Sequence, residues 1–187
     1  MKIGMLMMYD TGQQMVDEWD KDLMLGVVEN KLKYAKKHGY TPILANHMIK
    51  TDRPSAWSKL RAMKHYLPHY DYLMYVDMDT VIMDLEVKLE SFIAAAGPCA
   101  DIIMSEDWSG PNSGIWITKN SKWSQWFLEH AWEVGKPLLA KKSKIGGTAH
   151  PFQYEQRVFH YLLESKVWKD RKLPRYPGGR GITPVAT

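Results

Sequence analysis

Tyr72-Leu73-Met74-Tyr75-Val76 is an unbroken apolar and aromatic run of strand length, and it stops at two acidic residues in Asp77-Met78-Asp79. A run without polar alternation needs cover on both faces, so it predicts a central strand of an α/β sheet. A period-two backbone continued past it sets Asp77 and Asp79 on one side and Met78 on the other. Two ionised carboxylates at the mouth of an apolar strand repel one another and lose hydration unless a positive charge joins them. Mg²⁺ or Mn²⁺, held by one or two carboxylates and completed by water and substrate phosphate oxygens, suits so sparse an acidic set.

The flanking pattern agrees with an α/β chain. Lys2 to Tyr9 reads as a buried first strand ending in a polar loop at Asp10-Thr11-Gly12. Val16, Trp19, Leu23 and Val27 recur at helical spacing and predict a helix that ends near His38-Gly39. Thr41 to Ala45 is a second short strand, and Trp57, Leu60, Met63, Lys64 and Leu67 set a helix that stops before Pro68. Beyond the central strand, Leu89, Phe92 and Ile93 predict a helix and Asp101 to Met104 a strand. Gly114 to Thr118 follows as another strand, entered through a Gly/Pro/Asn/Ser turn. Trp123, Trp126, Phe127, His130 and Ala131 share a helix face, and Pro151 opens a last helix to about Glu164, before an irregular tail from about Lys172.

Strands alternating with helices predict one domain of Rossmann-like type: a mostly parallel sheet with helices on both faces. Such sheets bind ligands outside the carboxyl ends of their strands, which points at Tyr9 and Asp10, at Asp77 to Asp79, and at Glu106-Asp107.

Length and composition bound the rest. A chain of 187 residues, 45% hydrophobic and 25% charged, has the make-up of one globular unit with a substantial core. The single Cys99 excludes an internal disulfide and a multi-cysteine zinc site. No run approaches the ~18 apolar residues of a membrane span, and Met1 to Tyr9 is too short for a signal peptide. The expectation is a cytoplasmic protein, or a portion cut from a longer anchored one. A formal charge of +4 is weak for a nucleic-acid footprint. Lys141, Lys142 and Lys144, then Lys166, Lys169, Arg171, Lys172, Arg175 and Arg180, give the last third a bias suited to phosphate groups or to a solvated face.

Four landmarks in order resemble glycosyltransferase family 34. They are Arg53-Pro54-Ser55-Ala56-Trp57-Ser58-Lys59-Leu60, the stretch from Asp77-Met78-Asp79 to Asp84, Asn112-Ser113-Gly114-Ile115-Trp116-Ile117, and Glu155-Gln156. That family contains fungal galactosyl- and mannosyltransferases and plant xyloglucan xylosyltransferases. The resemblance, over roughly residues 40 to 165, implies a GT-A fold, a UDP- or GDP-sugar donor, a glycan acceptor, Mn²⁺ or Mg²⁺, and retention of anomeric configuration. By the same resemblance, Asp77 and Asp79 flank Met78 in the metal and donor-phosphate motif, and Lys59 lies next to the nucleotide. Asn112, Ser113 and Gly114 border the donor sugar, Gln156 sits near the anomeric carbon, and Glu155 matches its preceding acid.

Helical phase puts Gln156 on one face with Phe152, Phe159 and Leu163, a polar group where apolar ones dominate. Retention admits either same-face attack or a covalent intermediate on an acid such as Glu155 or Asp107, and the sequence does not choose between them. Two departures from the family pattern stand out: its late histidine ligand is absent after His160, and no anchor or stem precedes Met1. Trp57, Trp116, Trp123, Trp126 and Trp132 are expected in the core, whereas Trp108, in a Gly/Pro loop, is placed to stack on a sugar face. His38, His65 and His69 read as structural and His150 as a possible approach to the metal. Nucleotidyl transfer also uses paired aspartates with Mg²⁺. It calls for a Gly-rich phosphate loop after the first strand, and Asp10-Thr11-Gly12-Gln13-Gln14 is a poor one. A non-catalytic sugar-binding domain of the same fold is the third reading.

Overall fold

The computed structural model describes residues 1–10, 21–50, 52–107, 110–140 and 155–163. Five strands, β1 (Ile3–Met7), β2 (Thr41–Leu44), β3 (Tyr72–Val76), β4 (Ile102–Asp107) and β5 (Gly110–Lys119), form one sheet in the order β2-β1-β3-β5-β4. β1 runs parallel to β2 and β3, while β5 is antiparallel to both β3 and β4. Four strands therefore share a direction and only β5 is reversed. The expected mostly parallel α/β sheet is present, with β3 at its centre.

Helices cover both faces, and the strands' alternation sorts their side chains between them. On one face Leu6, Leu73, Tyr75 and Trp116 pack with α2 (Ser58–Tyr66), α4 (Lys122–Ala140) and α5 (Gln156–Leu163) through Leu60, Met63, Phe127 and Phe159. On the other, Met5, Met7, Met74, Val76 and Ile117 pack with α1 (Lys21–His38) and α3 (Leu89–Ala96) through Tyr34, Ala35 and Leu89. Trp57 and Trp116 are fully buried, Trp123 and Trp132 nearly so, as expected of core tryptophans.

Two expectations need correction. The buried face of α1 is Val27, Lys31, Tyr34 and Ala35, which continues the expected spacing from Val27, whereas Leu23, one turn earlier, is 56% exposed. The residues expected to open that helix, Val16 and Trp19, lie outside the described part. β5 begins at Gly110, so Pro111 to Ser113 belong to a strand and not to a turn. Its pairing of Asp107 with Gly110 and of Glu106 with Pro111 closes a hairpin, with an irregularity between Met104 and Glu106. The last helix begins at Gln156 among the described residues, and the expected start at Pro151 falls outside them.

Candidate functional site: an acidic turn tied to a buried lysine

The central strand ends in the sheet's most polar feature. Asp77 still pairs with β5, its N–H donating to Gly114 O at 2.8 Å, and then the chain turns. Thr80 donates to Asp77 O from its N–H at 3.3 Å and from Oγ1 at 2.7 Å. Period two thus stops at Asp77, and Asp79 lies in a turn and not on a continuing strand. Met78 does face away, into the core shared with α1 and α3, while Asp79 is exposed.

Lys59 comes to this turn from the first turn of α2. The segment before it is pinned to α4 by Arg53, whose guanidinium lies 3.6 Å over the Trp132 ring and donates to Trp132 O at 2.5 Å. Trp57 is wedged against α4 at Gly135, where a Cβ would stand 2.0 Å from the indole, so only glycine admits it. With its helix so fixed, Lys59 Nζ reaches Asp77 Oδ1 at 3.1 Å and Glu155 Oε1 at 2.7 Å. It also donates to Ser113 O at 3.4 Å and lies 4.7 Å over the Tyr75 ring. Lys59 is 5% exposed and Glu155 1%. Burial alone pulls the ammonium down, but Glu155 and then Asp77 outweigh it and hold Lys59 above its ordinary value. Burial, followed by the charge of Asp77, pushes the Tyr75 hydroxyl well up, so it stays protonated.

β5 supplies the opposite wall. Ser113 Oγ donates to Glu155 Oε1 at 2.7 Å, and the Ser113 N–H and Oγ reach Gln156 Oε1 at 3.3 Å and 3.4 Å. Gly114 N–H donates to Asn112 Oδ1 at 2.7 Å. A Cβ on Gly114 would stand 2.9 Å from that oxygen and 3.0 Å from Asp77 Oδ2, so the glycine keeps the space beside the second carboxylate oxygen open. α5 is seated by Phe159, whose ring meets Trp116 edge-on at 5.0 Å and Phe127 at 5.5 Å. His160 bonds Pro111 O through Nε2 at 2.9 Å, so the last histidine of the chain braces β5 against α5. Glu155 Oε2 is buried with no hydrogen-bond partner among the described residues.

The structure therefore gathers Lys59, Asp77, Asn112, Ser113, Gly114, Glu155 and Gln156. Tyr9 and Asp10 follow β1, the parallel neighbour of β3, and the Tyr9 N–H bonds Asn46 Oδ1 at 3.0 Å. Asp107 ends β4 on the hairpin. Trp108 and His150 lie outside the described residues. His38 accepts a structural part, bonding Leu85 O at 2.8 Å, and His65 and His69 are exposed. Among the described residues no three His, Cys, Asp or Glu side chains converge as a metal cage.

Sequence reasoning missed two residues of α1. Lys31 is fully buried, and its Nζ donates to Met78 O at 2.9 Å and Thr80 O at 2.5 Å. Asn30 pairs with the Ile82 backbone twice, Nδ2 to O at 3.0 Å and N–H to Oδ1 at 2.9 Å. The available signal was a lysine in phase with Val27, Tyr34 and Ala35.

A family model described as the galactosyl transferase GMA12/MNN10 family matches residues 1–97. The chain belongs to this family. The matched part holds Lys59, Asp77 and Asp79, whereas Asn112 to Gly114 and Glu155-Gln156 lie beyond it. Among relatives, galactomannan galactosyltransferase 1 of Cyamopsis tetragonoloba is 28% identical over 169 residues, 80% of this chain and 39% of its own length. The probable alpha-1,6-mannosyltransferase MNN10 of Saccharomyces cerevisiae is 24% identical over 174 residues, 75% of this chain and 42% of its own. The chain thus spans about two fifths of the length of these curated relatives. A crystal structure of a glycosyltransferase involved in the glycosylation of the major capsid of PBCV-1 shares the fold. Its TM-score is 0.60 at 15% identity, covering 98% of this chain and 82% of that one. The fold is accordingly of the GT-A glycosyltransferase type. Among the described residues no helix is long and apolar enough to cross a membrane.

Proposed function

We propose that this chain is a single catalytic domain of a metal-dependent glycosyltransferase that takes a sugar from a nucleoside-diphosphate donor, a UDP-sugar, to a glycan hydroxyl with retention. The observation that carries the reading is Lys59 bridging Asp77 and Glu155, which draws the acidic turn, β5 and the start of α5 into one site at the carboxyl end of β3. Family membership supports sugar transfer as its chemistry.

The donor set suits Mn²⁺ or Mg²⁺, held by Asp77 and Asp79: Asp79 is exposed, and Gly114 leaves the space beside Asp77 Oδ2 clear. When bound, such a cation neutralises charge developing on the leaving diphosphate. The chain's own residues do the rest. Lys59 occupies Asp77 Oδ1 and fixes the carboxylate's orientation. Ser113 occupies Gln156 Oε1 and so orients the amide; an amide does not readily take or give a proton, so Gln156 hydrogen-bonds the sugar and holds it in its reacting geometry. Glu155, enclosed by Lys59 and Ser113, serves in this reading to hold the site. Retention by same-face attack asks no nucleophile of it.

Calorimetric titration of UDP, GDP and CDP with and without Mn²⁺ tests the reading, with Asp77→Asn/Asp79→Asn as control. Binding of UDP that requires Mn²⁺ and vanishes in the double variant is expected. Equal affinity in EDTA removes the metal. Pyrophosphate release from a nucleoside triphosphate and a sugar phosphate, with no sugar transfer from a UDP-sugar, indicates nucleotidyl transfer, and donor binding with neither transfer nor hydrolysis indicates a binding domain.

A further inference from the structure

The segment from Asp77 to Lys88 lies between β3 and α3 with no regular secondary structure among its residues. Backbone groups in such a segment still need partners. Here α1 supplies them from side chains on successive turns: Lys31 to Met78 O and Thr80 O, Asn30 to both backbone groups of Ile82, Tyr34 Oη to Val87 O at 2.8 Å, and His38 to Leu85 O. The contacts are spread along the segment from Met78 to Val87. Lys31 brackets Asp79 through the carbonyls on either side of it, and Asn30 holds the segment just beyond.

We propose that Asn30 and Lys31 are positioning residues for the acidic turn, fixing Asp79 against Asp77 so that a divalent cation with a nucleoside diphosphate meets a preset pair of carboxylates. The inference rests on the metal reading of that pair. It explains why a lysine is kept on the apolar face of α1. A buried ammonium is costly, and among the described residues Lys31 forms no ion pair that repays the cost. An apolar residue would serve packing alone better. What the lysine supplies is a pair of donors that draw the carbonyls on either side of Asp79 inward, to one point, while Asp79 itself stays exposed. Asn30 then acts as a substitute strand edge for Ile82, setting where the turn ends. Groups that orient metal-binding carboxylates are part of a site as much as its ligands are.

Charge and positioning act in opposite directions at Lys31, and this makes the test decisive. Removing a positive charge near two carboxylates by itself strengthens cation binding. Loss of a positioning contact weakens it, by roughly 10-fold or more for groups of this kind. The experiment is calorimetric titration of Mn²⁺ in the presence of UDP for the whole chain, its Asn30→Ala and Lys31→Met variants, with thermal melting of each. Weaker binding by roughly 10-fold in Lys31→Met, and weaker binding in Asn30→Ala, is expected from proteins that remain folded. Tighter binding in folded Lys31→Met overturns the inference, as does wild-type affinity in Asn30→Ala, which decides alone if Lys31→Met does not fold. Absence of Mn²⁺-dependent UDP binding in the unaltered chain overturns the metal reading and this inference with it; a wild-type-like variant overturns this inference alone.

Discussion

Lys59 Nζ and Glu155 Oε1 stand 2.7 Å apart inside the protein, joining α2 to the residue just before α5. Charges so enclosed cost desolvation energy that only close pairing returns, so removing either partner exposes the cost of the other. Lys59→Met leaves Glu155 and Asp77 together without a cation and is expected to destabilise the fold by about 3–5 kcal/mol. Glu155→Gln costs less, since Lys59 keeps Asp77 and the amide can still accept from Ser113 Oγ. Urea unfolding of the two variants checks the order. Equal losses would mean that Asp77 contributes nothing to holding Lys59.

Gly114 gives a second prediction. Its alanine variant places a methyl 2.9 Å from Asn112 Oδ1 and 3.0 Å from Asp77 Oδ2, and one of the two must move. The expected result is a loss of Mn²⁺-dependent UDP affinity larger than the loss of stability, because the strand itself accommodates alanine. Melting and calorimetry on one preparation compare the two. A variant that melts early and binds normally when folded would assign Gly114 to packing.

Lys31 links the site to pH. Burial lowers it to about 8, against the partly opposing pull of Asp79 and Asp77, whereas the unfolded chain titrates it at the ordinary value of 10.5. Between these values the unfolded state binds more protons, so stability should rise as pH rises from about 8 toward 10.5, by at most about 1.4 kcal/mol per pH unit. Lys59, held above its ordinary value, contributes nothing to that slope and loses its stabilising effect only at higher pH. Denaturant unfolding across this window should show the rise in the wild type and a flatter profile in Lys31→Met.

The core of this site was legible where a local pattern carried it. Five unalternated apolar residues require cover on both sides, and β3 lies central with Met78 buried away from Asp79. What stayed hidden depends on partners distant in sequence. Gly110 to Ser113 has the composition of a turn, yet pairing with the end of β4 recruits it as strand, and nothing local in Asn112 signals a sheet. Lys31 carried a readable signal, a charge in phase with Val27, Tyr34 and Ala35. It continues the four-residue spacing of Leu23 and Val27, but a stripe traced through apolar residues stops at Val27 and passes a lysine by. The bond from Ser113 to Glu155 depends on how α5 docks through Phe159, and no spacing rule reaches that far.

Gln156 supports the prediction that most directly concerns catalysis. Its Oε1 is engaged by the N–H and Oγ of Ser113, and it opens α5 beside the buried Glu155. It is itself only partly buried, so truncation removes little packing. A hydrogen bond that holds the sugar in its reacting geometry is worth more in the transition state than in the ground state. Gln156→Ala should therefore lower kcat by ~10²-fold while leaving UDP affinity nearly unchanged, the usual scale for loss of one preorganised hydrogen-bond donor. Gln156→Glu separates position from charge, since the carboxylate can still accept from Ser113 but offers the sugar an acceptor in place of a donor. If activity survives in Gln156→Glu and fails in Gln156→Ala, position alone matters. If both fail with melting temperatures unchanged, the amide's donor is what the reaction uses. Normal turnover in folded Gln156→Ala removes the residue from the mechanism and turns attention to Asp107, at the hairpin end of β4.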